Sequence, residues 1–154
     1  GDEIPNHNLM LTKKCDTAIY VVSRNSGEGS DREVLPGDVK LTESETRDIL
    51  KLNDLYERFM LVLNVGGVID LSPVLDVKNI LILSQLGTDC GAILADILLG
   101  KQNPSGKLTT TWTKFEDYSN IGTFGDWNDN LYKEGIYVGY RYFDTFGFYI
   151  LHFL

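Results

Sequence analysis

Hydrophobic and polar positions change their period along this chain, and the changes mark out alternating strands and helices. Residues 17–23, TAIYVVS, form a β-branched and aromatic run that predicts a strand. Thr42-Glu43-Ser44-Glu45 then has capping-box form, and Ile49, Leu52, Tyr56 and Phe59 recur behind it at helical spacing. Two short apolar runs follow, residues 60–65 ended by Gly66-Gly67 and residues 79–84 centred on Ile-Leu-Ile-Leu. Both suit buried parallel strands. Residues 70–75, with Pro73 in the first turn, predict a short helix, and residues 89–99 a longer one stopped by Gly100. Beyond Asn103-Pro104-Ser105-Gly106 the pattern weakens to an edge strand over 107–112 and an irregular acidic loop over 113–132.

This alternation predicts an α/β fold, a three-layer α/β sandwich whose mostly parallel sheet is covered by helices on both faces. In such folds the working loops lie at the carboxyl ends of the strands. The first of these, SRNSGEGSDR at 23–32, sets Glu28 between Gly27 and Gly29 on a polar loop. Glycine on both sides removes two Cβ atoms and lets the carboxylate project from the domain body. Arg24 and Arg32 favour its ionised form and Asp31 opposes it, and both arginines are candidates to position the loop or bind Asp31. The bland alternative is a solvated Gly-Glu-Gly turn.

Composition narrows the function. At 154 residues and 43% hydrophobic the chain suits one globular domain over 1–154. Twenty-two acidic against 14 basic residues give a net charge of -8, which repels phosphate backbones and anionic membranes, so neither nucleic acid nor a membrane is an expected partner. No apolar run reaches the roughly 18–20 residues a bilayer span needs, and GDEIPNHNLM lacks the regions of a signal peptide, so a soluble, untargeted chain is expected. Cys15 and Cys90 lie far apart without a CxxC pair, and His7 and His152 have no cysteine at ligand spacing, so no metal is implied. Two glycine and acidic motifs also fail. Arg32 stands where a dinucleotide loop needs its third glycine; Leu131 and Tyr137 stand where a calcium loop opening at Asp126 needs glycine and glutamate. No cofactor is expected. The aromatic segment 136–146 could stack on a sugar, and packing is the favoured reading.

SRNSGEGSDR, LNVGGVID at 63–70, LADILLGKQNPSGKL at 94–108 and KEGIYVGYRYFDTFG at 133–147 together resemble, in order, motifs of the second domain of glycoside hydrolase family 3, the β-glucosidase family. The resemblance spans residues 15–147. It implies an α/β sandwich partnered by a (β/α)8-barrel domain, with the active site between the two.

It also implies a role for Glu28, which matches the glutamate that acts as general acid/base in members sharing the SGEG loop. Retention needs a nucleophilic carboxylate roughly 5 to 5.5 Å away, and in this family that aspartate belongs to the barrel, in a Ser-Asp-Trp context. The only Asp-Trp pair here, Asp126-Trp127, follows Gly125 in another loop. The resemblance therefore implies half of an active site for terminal β-D-glucosyl residues of a β-glucoside or oligosaccharide, inactive without its barrel. Thr109 and Thr113 replace prolines common in relatives, and the 148–154 tail, FYILHFL, is atypical. Two other readings compete: a noncatalytic carbohydrate-binding or interaction module of the same fold, and a nucleotide- or flavin-binding domain, which the failed glycine pattern opposes.

Overall fold

A computed structural model of the chain describes residues 15–25, 29, 31–118, 128–129, 131–148 and 150–151. Residue contacts divide it into two compact units, Gly1–Ser105 and Gly106–Leu154.

The first unit is built on three parallel strands, β1 (Thr17–Ser23), β2 (Arg58–Asn64) and β3 (Ile80–Ile82), in the spatial order β1-β2-β3. This is the α/β class with a parallel sheet that the alternating pattern predicts. Thr17 pairs with Arg58 and Ser23 with Asn64, while Leu61 to Leu63 of β2 pair with Ile80 to Ile82. A central strand flanked on both edges is expected to be apolar on both faces, and Leu61, Val62 and Leu63 are fully buried. At the β1 edge the period of two is visible instead: Val22 is buried, whereas Ile19 and Val21 are about half exposed.

Helix α1 (Glu43–Leu55) begins with the full capping box that its sequence announces. The Thr42 side chain accepts from the Glu45 N–H at 3.1 Å, and the Glu45 carboxylate accepts from the Thr42 N–H at 2.8 Å. Ile49 and Leu52 are buried, and the helix packs against β1 and β2. The expected helix at 70–75 is a single 3-10 turn, Ser72–Val74, with Pro73 in its first turn. A second 3-10 turn, Gly87–Asp89, leads into α2 (Cys90–Leu98), and Gly100 past its end adopts a φ of +70°.

The second unit contains α3 (Phe115–Tyr118) and α4 (Tyr140–Thr145). Phe143 is its fully buried anchor, with the rings of Tyr118 and Tyr142 meeting it edge-on at 5.5 and 5.4 Å. Tyr142 also meets the rings of Phe146 and Phe148 at 4.8 and 5.5 Å, so part of the aromatic segment packs around Phe143, whereas Ile136, Tyr137, Val138, Tyr140 and Phe146 are exposed. The edge strand expected over 107–112 does not form. Residues 109–110 bend there, and the β-pairing found nearby is one antiparallel bridge between Thr113 and Ile150. Among the described residues no helix is long and apolar enough to cross a membrane.

Candidate functional site

The carboxyl ends of β1 and β2 lie side by side, because Ser23 and Asn64 are partners in the ladder. The chain leaves β1 through Arg24, whose N–H still donates to the Asn64 carbonyl at 3.1 Å. Its side chain turns inward and is only 6% exposed. A guanidinium so buried needs every donor matched, and here each is. Nη1 and Nη2 grip the two oxygens of Glu45 at 2.8 and 2.7 Å, a bidentate fork. The remaining donors reach the carbonyls of Asp38 (2.8 Å), Ser23 (2.9 Å) and Lys40 (3.4 Å). Glu45 thereby serves both the helix cap and the arginine. Burial alone would raise its carboxyl; the hydrogen bonds from Arg24 and Thr42 and the arginine charge outweigh it and hold the group below its ordinary value of 4.5.

The far stem of the same loop is held by Arg32. Its Nε donates to Asp38 Oδ1 at 2.8 Å and its Nη1 to the Val68 carbonyl at 2.7 Å, which ties the loop after β1 to the loop after β2. Its Nη2 is buried without a hydrogen-bond partner among the described residues. Gly67 makes room for this head group: a Cβ built there would sit 3.1 Å from Arg32 Nη1.

Asp38 lies in a tight turn in which Gly37 takes a φ of +88°, a conformation open to glycine, and donates its N–H to the Lys40 carbonyl at 2.9 Å. The second oxygen of Asp38 accepts the Glu33 N–H at 2.6 Å. That backbone bond, together with the Arg32 contact, holds the Asp38 carboxyl below its ordinary value of 3.8.

The sequence places Glu28 midway between these two arginines; Glu28 itself lies outside the described residues, as do Gly27, Asp126, Trp127, His7 and His152. Arg24 and Arg32 fasten the two stems of the loop, through Glu45 and Asp38 rather than Asp31. Both partners are fixed in place, Glu45 by the α1 cap and Asp38 by its turn. Glu45 was legible as a cap residue and not as an ion-pair partner; Asp38, in a Pro-Gly-Asp turn, carried no signal. No group of histidine, cysteine and acidic side chains able to hold a metal occurs among the described residues. A shallow depression of about 380 Å³, lined by Asp54, Glu57, Lys78 and Asn79 among others, lies at the opposite, amino ends of β2 and β3, away from this loop.

Comparison with known proteins gives a consistent result. Residues 3–140 match the family model described as the glycosyl hydrolase family 3 C-terminal domain. The chain is 37% identical to β-glucosidase A of Butyrivibrio fibrisolvens over 84% of its own length and 19% of that protein's. It is 35% identical to a β-glucosidase of Ruminococcus albus over 94% of its length and 16% of the relative's. It thus spans about a fifth or less of the length of these relatives. Among solved structures, β-glucosidase 3B from Thermotoga neapolitana in complex with glucose superposes with a TM-score of 0.77 at 38% identity, covering 89% of this chain and 21% of that one.

Proposed function

The chain belongs to glycosyl hydrolase family 3 as a C-terminal domain, and we propose that it supplies the general acid/base of a retaining β-glucosidase-like enzyme. In this reading residues 1–154 are the α/β part of a two-domain hydrolase whose barrel domain carries the nucleophilic aspartate and holds the terminal β-D-glucosyl residue. Glu28 protonates the departing glycosidic oxygen while the barrel carboxylate forms the glycosyl-enzyme, then takes a proton from the water that releases the sugar. The domain alone has no nucleophile to offer and is inactive.

The observation that carries this reading is the fastening of both stems of the SGEG loop, by Arg24 and by Arg32, at the carboxyl end of β1. A proton donor must be held within hydrogen-bond reach of its oxygen, and rigid stems at a strand end provide for that. A glutamate acting as an acid near neutral pH also needs its pKa raised above about 4.3. Closure of a barrel domain over the loop provides the desolvation. A noncatalytic module of the same fold has no use for a carboxylate at that position.

The test is hydrolysis of an aryl β-glucoside by the two-domain enzyme carrying wild-type or Glu28→Ala sequence. Loss of turnover that azide restores, with glucosyl azide as product, is the expected result. A folded Glu28→Ala enzyme that turns over at the wild-type rate rules the assignment out in favour of the binding module.

A further inference from the structure

Two residues equally spaced about Glu28, Arg24 four positions before it and Arg32 four positions after, meet on a single third residue. Arg24 Nε donates to the backbone carbonyl of Asp38 and Arg32 Nε to its carboxylate, each at 2.8 Å. Asp38 also takes the Glu33 N–H on its other oxygen at 2.6 Å, so every acceptor it offers is bound to a stem of the loop. We propose that Asp38 is a positioning residue for the acid/base, the common anchor of both stems of the 24–32 loop. The inference rests on the reading of Glu28 as acid/base.

The anchor has a rigid footing. Asp38 N–H donates to the Leu35 carbonyl at 3.2 Å, and the next residue's carbonyl, that of Val39, accepts the Asp70 N–H at 2.7 Å. Arg24 continues the connection to α1 through Glu45, and Arg32 continues it to the loop after β2 through Val68. Tying both stems to one residue fixes the two points between which the loop closes. A shift of about 1 Å in a catalytic group can cost on the order of a hundredfold in rate. Asp38 acts through the two arginines that it binds.

Proton donation matters most when the leaving group is poor, and this gives a readout that simple destabilisation does not move. In the two-domain enzyme, kcat/KM is measured on dinitrophenyl β-glucoside, which departs without protonation, and on phenyl β-glucoside, which does not. Asp38→Asn keeps the backbone carbonyl used by Arg24 and removes the charge held by Arg32. It is expected to raise the dinitrophenyl-to-phenyl ratio by roughly fivefold or more, in the same direction as Glu28→Ala and by less. If Glu28→Ala raises the ratio and Asp38→Asn leaves it at the wild-type value, the positioning role is wrong and the acid/base reading stands. If Glu28→Ala leaves the ratio unchanged, both fall. Should Asp38→Asn fail to fold, Arg32→Lys serves instead: it keeps the charge but loses the planar fork that spans Asp38 and Val68. A rise in its ratio supports the anchor and an unchanged ratio overturns it.

Discussion

Arg24 and Glu45 face one another through two parallel hydrogen bonds of 2.8 and 2.7 Å, with 5% and 9% of their side chains exposed. The pair joins the end of a strand to the start of a helix, and it does so in a site from which water is largely excluded. Such a pair adds little net stability over an apolar one, yet removing one member strands the other.

Glu45→Ala should therefore lower unfolding stability by about 3–5 kcal/mol, since it leaves the guanidinium uncompensated and also removes half of the capping box. Arg24→Met should cost at least as much, because three backbone carbonyls lose a donor along with the carboxylate. Urea unfolding of each variant measures this; a loss under about 1 kcal/mol in Glu45→Ala would show the pair to be solvated.

Acid should weaken the first unit through two carboxylates. Glu45 and Asp38 both titrate below their ordinary values of 4.5 and 3.8 in the folded state. Groups depressed on folding contribute stability that is present above the unfolded pKa and lost as pH falls through the folded one. Stability should thus stay level from neutrality down to about pH 5 and decline below it. Asp38→Asn should flatten part of that decline, as followed by thermal unfolding between neutral and strongly acidic buffer. An unchanged acid limb in the variant would remove Asp38 from the account.

Alkali should act through two tyrosines. Burial, and then the charges of Glu45 and Asp48, raise the Tyr20 hydroxyl above 10.0; burial raises Tyr118, partly offset by the Thr113 N–H. A group raised on folding contributes stability that is present below the unfolded pKa and lost as pH rises through the folded one. Phenolate absorbance should therefore show two tyrosines ionising later than the rest, together with unfolding above about pH 10. Replacing Tyr20 with phenylalanine should delete one late step; an unchanged titration would refute the assignment.

The contrast between the middle and the edge of the sheet is equally open to measurement. Leu61→Ala, at a fully buried position of β2, should cost about 2–5 kcal/mol. Val21→Ala, on the half-exposed face of β1, should cost under about 1 kcal/mol. Comparable losses would mean that something covers β1 in solution.

The strands and helices of the first unit were readable because each depends on a local period. The capping box at Thr42, the stop at Gly100 and the apolar run of β2 all act over a few residues, and all three appear where the pattern puts them. Boundaries depend on partners instead. β2 opens at Arg58, ahead of its apolar run, because Thr17 of β1 pairs with it, and β3 is limited to Ile80–Ile82, the three residues that pair with Leu61 to Leu63. The strand expected over 107–112 has apolar and β-branched residues but gains no ladder. Within the site, Arg24 and Arg32 stood out as charges beside Glu28, while their partners did not. Asp31 is nearest in sequence, and only the folding of α1 and of the Gly37 turn brings Glu45 and Asp38 closer in space.

Gly67 carries a consequence for how this sequence can vary. A methyl group there presses on Arg32 Nη1, which would have to give by a few tenths of an ångström while it holds the Val68 carbonyl at 2.7 Å. Positions 32 and 67, distant in the chain, therefore behave as one unit of substitution. In a library randomised at both, arginine at 32 should be recovered with glycine at 67, and larger residues at 67 should survive mainly beside shorter ones at 32.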